Sequence, residues 1–261
     1  MSSDRMSGEQ MSQLGIFTDK AAVYHHRWDY APAAIAAICA AMGGCRGKQI
    51  ADLGAGNGML GKHFLEQEAH LFAIDPDQAM LAEAQAELGH YATFRAICAR
   101  AEATTLPPRS MDAVVVGRAL HWFEPEPARQ EVQRILKPNG LLAILRIQPA
   151  DKAIREALAS LRAAENGWNM RYGGRRPPLP PYARYFGHEA YQNLQFSQVI
   201  QQSWEQFWGE LCSRSAAPNL NDPQIDHFRQ AAAQLFARLS TGDLFTFEAL
   251  TLVSLGQLDF S

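Results

Sequence analysis

The chain has 261 residues, 47% of them hydrophobic, and a formal net charge of -3. This length fits one large domain, or a core domain with a substantial insertion, and the composition excludes a disordered chain. The slightly acidic charge gives no reason to expect a nucleic acid partner, because such partners favour a basic face. No apolar run approaches the roughly 18 residues of a membrane span, and the polar first residues do not resemble a signal peptide. The expected location is the cytoplasm, with no membrane partner.

The chain contains four cysteines, none in CxxC spacing: Cys39, Cys45, Cys98 and Cys212. This pattern argues against a zinc site and against a disulfide framework. We therefore expect buried free thiols in a reducing compartment. No cluster of side chains has metal-ligand spacing, so no metal is expected.

The predicted elements begin with a flexible terminus at residues 1–16 and an amphipathic segment at 17–42, in which Pro32 suits an early helical position. Short apolar runs then alternate with helical periods. The predicted strands cover 49–53, 71–74, 93–97, 113–116 and 141–147, and the predicted helices 59–68, 77–88 and 127–136, with a turn at 137–140. Asp77 is placed to cap the second of these helices. The alternation predicts an α/β fold with a doubly wound parallel sheet and a ligand site at the carboxyl ends of the strands.

The pattern changes after Asp151. A helix to about residue 165 leads into an irregular stretch rich in Gly, Pro and aromatic residues, typical of a lid or substrate insertion. We predict a strand at 192–199 and helices at 205–212 and 223–239, then a final strand at 245–255. The predicted division is a core with its N-terminal cap helix at 17–150, a helical and irregular insertion at 151–220, and a C-terminal helix and strand completing the core at 221–261.

A glycine-rich turn, DLGAGNG, links the first strand to the first helix after it. Such a turn lets a ligand approach the backbone, but nicotinamide enzymes use one too. Here the glycines fall at every second position, whereas the dinucleotide fingerprint leaves two residues between its last two glycines. Asp52, just inside the strand end, suits a cationic ligand and would repel a pyrophosphate. Asp75 ends the second strand, where a carboxylate could accept both ribose hydroxyls or cap the turn before Pro76.

Five segments in order carry a resemblance: DLGAGNG, AIDPDQAML, ARAEATTLP, MDAVVVGRALHWF and RILKPNGLLAIL. Together they resemble the class I S-adenosylmethionine-dependent methyltransferases. Within that class the chain resembles the small-molecule group with a HWF segment, which includes relatives of trans-aconitate methyltransferase. The resemblance implies a Rossmann-like methyltransferase fold with seven strands in the order 3-2-1-4-5-7-6, the last antiparallel. It also implies S-adenosylmethionine as cofactor, with S-adenosylhomocysteine as product.

The resemblance also implies where the cofactor binds. The glycine loop would line the site, Asp52 would hold the aminoacyl end and Asp75 the ribose. The implied cofactor-binding residues are Tyr24, Arg27, Asp52, Gly54, Ala55, Gly56, Gly58, Asp75, Pro76, Met80, Ala101, Glu102, Gly117 and Leu120. Arg100 departs from the pattern, because many relatives carry Asp there to accept from the adenine amine. Either Glu102 or backbone carbonyls would then do this, or Arg100 points to solvent.

The chemistry of methyl transfer needs a base only if the acceptor must lose a proton. His121 is the candidate, as a base or as a group that orients a carboxylate; alternatively His121 and Trp122 only anchor a helix to the sheet. The segment that contains Tyr24 and Arg27 resembles one that folds over the cofactor near the methionine carboxylate, the alternative being a surface helix.

The predicted acceptor pocket combines residues after the fourth strand with residues of the insertion. Its candidate residues are His121, Trp122, Trp168, Tyr172 and Arg175, with Tyr182 and Tyr185. Aromatic and cationic groups suit a planar or carboxylated acceptor, although these residues could equally pack the insertion onto the core. The leading hypothesis is methylation of oxygen, nitrogen or carbon in a small organic molecule. The alternatives are a non-catalytic cofactor-binding module with a protein partner, and a nicotinamide-dependent oxidoreductase. The sequence identifies neither the acceptor nor the oligomeric state.

Overall fold

The computed structural model describes residues 18–161 and 181–259. In this part of the chain seven strands form one sheet: β1 (Gln49–Leu53), β2 (His70–Asp75), β3 (Phe94–Cys98), β4 (Met111–Gly117), β5 (Leu136–Pro149), β6 (Gln192–Gln202) and β7 (Phe245–Gly256). Their order is β3-β2-β1-β4-β5-β7-β6. The first five are parallel, and β7 runs antiparallel to both β5 and β6. The predicted fold class and strand order are confirmed.

The helices alternate with the strands as predicted. They are α1 (Pro32–Ala41), α2 (Met59–Leu65), α3 (Gln78–Leu88), α4 (Pro125–Ile135), α5 (Lys152–Ser160), α6 (Ala183–Phe186), α7 (Trp204–Ser213) and α8 (Ile225–Leu239). A 3-10 segment covers Thr18–His26, and a single 3-10 turn covers Leu120–Trp122. Asp77 caps α3 as predicted, its side chain accepting from the backbone N–H of Ala79 and of Met80. Within the described ranges, none of the helices combines the length and the apolar character that a membrane span requires.

The sheet is covered on both faces. β1 and β4 are short apolar strands with almost every residue buried, as expected for the centre of a parallel sheet. At one edge, β6 alternates between exposed and half-buried residues, so only one of its faces packs on the protein. Because β6 lies at residues 192–202, the segment 151–220 supplies an edge strand of the sheet as well as helices. An aromatic cluster joins α7, α8 and β7, with Phe207, Phe236 and Phe245 at its centre.

Several predicted boundaries differ from the structure by a few residues, and two of these differences have a visible physical cause. The helix predicted at 59–68 ends at Leu65, because the chain reverses there and Glu68 adopts a left-handed φ of 61°. The turn predicted at 137–140 lies within β5, which begins at Leu136. The cause is an irregularity in the β4–β5 ladder, whose register shifts between Met111 and Ala113 and so lengthens β5 by a few residues.

The expectation of four buried free thiols is also wrong. Cys39 and Cys45 form a disulfide, with Cα atoms 5.0 Å apart. After α1, Gly43 and Gly44 take left-handed φ values of 73° and 110°, and the Gly44 N–H donates to the Cys39 carbonyl. This turn folds the chain back, so that two cysteines six positions apart meet. Of the other two cysteines, Cys98 is exposed and Cys212 is buried.

Candidate functional site

The glycine loop lies where β1 has β2 on one side and β4 on the other, the switch point at which ligands bind in such sheets. The backbone N–H groups of Gly54 and Ala55 donate to the Ile74 carbonyl of β2, at 2.8 and 3.1 Å. Gly54 has a φ of 68°, and a Cβ there would clash with the Cβ of Ala119. Gly58, with a φ of 81°, starts α2. The loop therefore needs glycine both for its backbone conformation and for close packing.

Asp75 ends β2 and holds the loop. One carboxylate oxygen accepts from the Gly56 N–H at 2.9 Å, and the other from the Asp77 N–H at 2.9 Å. Burial raises the pKa of Asp75 to about 6. The turn-capping role weighed from the sequence is thus present, but a carboxylate oxygen can accept more than one hydrogen bond. Asp75 keeps the capacity to accept from ligand hydroxyls while it orders the loop.

Asp52, at the end of β1, is only 1% exposed. Neither of its carboxylate oxygens has a hydrogen-bond partner among the described residues. Burial raises the pKa of Asp52 to about 7, and the Asp75 carboxylate acts in the same direction. The Gly61 N–H of α2 faces the carboxylate without meeting hydrogen-bond geometry, and it opposes these effects only weakly. A buried carboxylate without a partner is costly, and a cation placed beside it would remove that cost.

The implied cofactor-binding residues that follow β2 and β3, which the resemblance places around the adenine, lie on that side of the loop. Pro76 is exposed, Met80 and Ala101 are buried, and the Met80 Cε would lie 3.2 Å from a Cβ at Gly56. Glu102 accepts from the Arg100 guanidinium at 3.1 Å and from the Glu124 N–H at 2.9 Å. Arg100 therefore does not simply point to solvent, and both oxygens of Glu102 are already engaged.

Residues 18–30, called here the N-terminal cap, pack on α7 and lie against the loop. The Arg27 guanidinium stacks over the Tyr24 ring at 4.5 Å and donates to the Oγ and carbonyl of Ser213. The Tyr24 ring would lie 3.7 Å from a Cβ at Gly56. Lys20 anchors the cap, because its buried Nζ donates to the carbonyls of Cys212, Arg214 and Ala217.

The end of β4 forms the opposite wall. Gly117 packs so tightly that a Cβ there would clash with the Tyr30 hydroxyl. Leu120 is buried, whereas His121 and Trp122 are half-buried, with ring centroids 4.7 Å apart. This places His121 on the 3-10 turn that follows β4, at the carboxyl end of the sheet.

The other residues proposed for the acceptor pocket lie in different surroundings. Tyr185 belongs to the core and directs its hydroxyl at the Leu120 carbonyl, so packing accounts for it. Tyr182 is partly buried against the same cluster. Trp168, Tyr172 and Arg175 lie outside the described residues. Across the residues that the structure describes, no three His, Cys, Asp or Glu side chains are grouped to hold a metal ion.

Sequence reasoning missed three polar residues at this site: Lys20, Tyr30 and Arg118. Arg118 directly follows the apolar run of β4, and a charged residue in that place was a usable signal. Its Nη1 donates to the Trp28 carbonyl at 2.9 Å and its guanidinium stacks on Tyr30 at 4.9 Å. Lys20 and Tyr30 gave no comparable signal, because their partners come from distant parts of the chain.

Comparison with known proteins agrees with this geometry. Residues 51–144, from β1 into β5, match the family model described as a methyltransferase domain. An uncharacterized methyltransferase of Mycobacterium bovis is 37% identical over 98 residues, which cover 38% of this chain and 39% of that protein. A Saccharomyces cerevisiae protein named as an S-adenosylmethionine-dependent methyltransferase is 31% identical over 137 residues, 49% of this chain and 45% of that protein. Each match thus spans less than half of the relative's length.

Among solved structures, one named as a type II methyltransferase, from Anaeromyxobacter dehalogenans, superposes with a TM-score of 0.60. It covers 88% of this chain and 97% of its own at 20% identity, which shows a shared fold. Taken together, residues 51–144 are similar to a methyltransferase domain, and the chain shares the fold of a solved structure named as a methyltransferase. These similarities give no support to the module without catalysis or to the oxidoreductase.

Proposed function

We propose that this protein transfers a methyl group from S-adenosylmethionine to a small organic acceptor. The observation that carries the proposal is Asp52, a buried carboxylate with no hydrogen-bond partner among the described residues, directly beside the glycine loop. Such a group favours a cationic ligand over a phosphate. S-adenosylmethionine carries a sulfonium and an ammonium but no phosphate, and when bound it supplies a methyl group already activated for displacement.

The residues around Asp52 fit the remaining parts of that ligand. Asp75 is fixed by two backbone donors and can accept further hydrogen bonds from the ribose hydroxyls. Met80 and Ala101 supply apolar surface for the adenine. Left-handed glycines at 54 and 56 let a ligand approach the backbone closely. The N-terminal cap, with Tyr24 beside Gly56, would exclude water from the reacting groups.

His121 is proposed as the group that takes a proton from the acceptor or orients it. Its position after β4, half-buried on a 3-10 turn, supports this role. The HWF segment and its resemblance to the small-molecule group support an acceptor of small size. We further propose that residues 151–220 shape the acceptor side of the site, since α7 supplies Ser213, which holds Arg27 of the cap.

Thermal unfolding with added ligands tests the donor assignment, because a ligand that binds only the folded state raises stability with its concentration. We expect S-adenosylhomocysteine to raise Tm of the wild-type protein and the Asp52→Ala variant to lose most of this response. An Asp243→Ala variant serves as the control, because it removes an exposed acidic side chain that lies in the loop before β7. If NAD raises Tm and S-adenosylhomocysteine does not, the donor assignment is wrong.

A turnover assay tests the reaction itself. Formation of S-adenosylhomocysteine is measured with S-adenosylmethionine and a broad panel of small alcohols, amines, acids and activated carbon acids. Turnover of one acceptor class is expected. Binding of the donor without turnover of any acceptor would favour the module without catalysis.

A further inference from the structure

Arg118 lies directly after β4, at the carboxyl end of the sheet beside the glycine loop. Its backbone adopts a left-handed φ of 60°, which is uncommon and strained for a residue with a side chain. Such conformations cluster at ligand sites because the surrounding structure holds them there.

The guanidinium of Arg118 is incompletely paired. Its Nη1 donates to the Trp28 carbonyl at 2.9 Å, but its Nη2 meets only the Met59 sulfur at 3.1 Å. Its Nε is buried and has no hydrogen-bond partner. Nε and Nη2 form the side-on edge of a guanidinium, the edge that binds a carboxylate through two parallel hydrogen bonds. A thioether is a weak acceptor, and the neutral Tyr30 hydroxyl beside the guanidinium stabilises its charge, so this edge has no carboxylate partner.

Arg118 has no carboxylate partner within ion-pair distance among the described residues, although Glu210 and Asp29 lie near enough to interact with its charge. Arg214 is paired with Glu210, both oxygens of which accept from its Nε at 2.9 and 3.0 Å. Arg27 donates to Ser213, and within the described ranges neither Arg27 nor Arg118 makes an ion pair with a carboxylate. Burial lowers the pKa of Arg27, and the Arg118 guanidinium acts in the same direction. Burial disfavours the charge on Arg118, but Tyr30, Tyr24 and Glu210 outweigh burial and raise its pKa, so the buried guanidinium stays charged although no carboxylate touches it.

We propose that Arg118 binds a carboxylate of the bound ligand through its Nε–Nη2 edge. The inference rests on the proposed function, which places a small-molecule site at the carboxyl ends of β1 and β4. Two sources share this chemistry: the aminoacyl end of the methyl donor, and a carboxylic acid acceptor. The Met59 side chain is unbranched and flexible, so it can leave the edge when an oxygen ligand arrives.

Calorimetry on the Arg118→Gln variant tests the proposal, with Arg118→Lys as the conservative variant that keeps the charge but not the edge. Arg129→Gln is the matched control, because Arg129 also has a buried Nε without a partner but is paired with Glu126 on α4. Thermal unfolding confirms that each variant is folded. The first probe pair is S-adenosylhomocysteine and 5′-methylthioadenosine, which lacks the aminoacyl end.

If the donor supplies the carboxylate, Arg118→Gln lowers the affinity for S-adenosylhomocysteine roughly ten- to hundredfold and leaves the affinity for 5′-methylthioadenosine unchanged. If the acceptor supplies it, both nucleosides bind as before. In that case succinate and benzoate are titrated into free and S-adenosylhomocysteine-loaded protein. Their affinity for Arg118→Gln should be lower than for the wild type by a similar factor. The affinity for succinamide and benzamide, which lack the carboxylate, should not change. If the binding of a carboxylic acid depends on Arg118, the inference is upheld even when neither nucleoside binds. Failure of both nucleosides to bind would reject only the proposed methyl donor.

Three outcomes overturn the inference. One is an equal loss of affinity for both nucleosides, which indicates a purely structural role. Another is an equal effect of Arg129→Gln. The last is wild-type affinity of Arg118→Gln for every probe, including the case in which the wild-type protein binds none of them.

Discussion

The backbone N–H of Gly56 donates a hydrogen bond of 2.9 Å to the carboxylate of Asp75. The end of β2 is thereby tied to the loop that follows β1, so the conformation of the loop and the position of the acid depend on each other. One carboxylate orders the backbone that receives a ligand and remains able to accept hydrogen bonds from that ligand.

Replacing Asp75 is expected to affect both binding and stability. Asp75→Ala removes the acceptor of the Gly56 and Asp77 N–H groups, so the free energy of unfolding should fall by about 1–3 kcal/mol. The affinity for S-adenosylhomocysteine should fall at least tenfold if both ribose hydroxyls bind this carboxylate. Calorimetry and denaturant unfolding measure the two effects. An unchanged affinity would remove the ribose assignment, and Asp243→Ala controls for loss of an acidic side chain.

The raised pKa of Asp52 predicts a specific pH dependence. The folded protein holds this proton up to about pH 7, whereas in the unfolded chain the carboxyl has its ordinary pKa of 3.8. The folded state therefore binds more protons between these values, and stability contributed by this group falls as pH rises from about 4 to 7. Above pH 7 the ligand-free Asp52→Asn variant should be more stable than the wild type, by several degrees in Tm.

Ligand binding by Asp52 should show the opposite pH trend. A cationic ligand prefers the ionised carboxylate, so the affinity for S-adenosylmethionine should fall as pH is lowered through about 7. In the Asp52→Asn variant this dependence should disappear and the affinity should be low throughout. Calorimetric titrations across the range measure this, and a wild-type affinity independent of pH would show that Asp52 does not contact the cation.

A comparison of alanine substitutions at Gly54 and Gly242 distinguishes the cost of backbone strain from the cost of a steric clash. Both have left-handed φ values, 68° and 62°, but a Cβ at Gly54 would clash with Ala119 whereas nothing lies within 4 Å of one at Gly242. Gly54→Ala should lower the free energy of unfolding by about 1–3 kcal/mol more than Gly242→Ala, and only Gly54→Ala should weaken nucleoside binding. Equal losses of stability in denaturant titrations would mean that the loop can relax around the added methyl group.

The disulfide between Cys39 and Cys45 closes a short loop at the end of α1. Its loss in a Cys39→Ser/Cys45→Ser variant should lower the free energy of unfolding by about 2 kcal/mol, as the entropy of a small closed loop suggests. The loop precedes the amino end of β1, so S-adenosylhomocysteine binding should be unchanged. Thiol titration of the unfolded wild-type chain should find two thiols before reduction and four after it. Four before reduction would contradict the pairing.

The parts of the fold that follow from local pattern could be read from the sequence. The buried strands β1 and β4 are apolar runs, and Asp77 caps α3 where an acid before a helical period predicts it. The strand order came from the resemblance of the ordered motifs. The register shift that lengthens β5 could not be predicted, because it depends on pairing between Met111 and Leu136.

The candidate site was only partly predictable for the same reason. The positions of Asp52, Asp75 and the glycines follow from strand ends, which sequence pattern locates well. The anchoring of Lys20 on α7 joins residues nearly two hundred positions apart, and the contacts of Arg118 include a carbonyl and a thioether. The Cys39–Cys45 pair depends on two left-handed glycines between them. Such features arise from tertiary packing, which no local pattern encodes.

The most direct test of the central claim is a crystal structure with S-adenosylhomocysteine bound. We predict the nucleoside at the glycine loop, with both ribose hydroxyls within hydrogen-bond distance of the Asp75 carboxylate and the ligand's ammonium on the Asp52 side. The groups around the place of the missing methyl would then identify the acceptor side. A nucleoside bound elsewhere, or one whose ribose does not contact Asp75, would contradict the account.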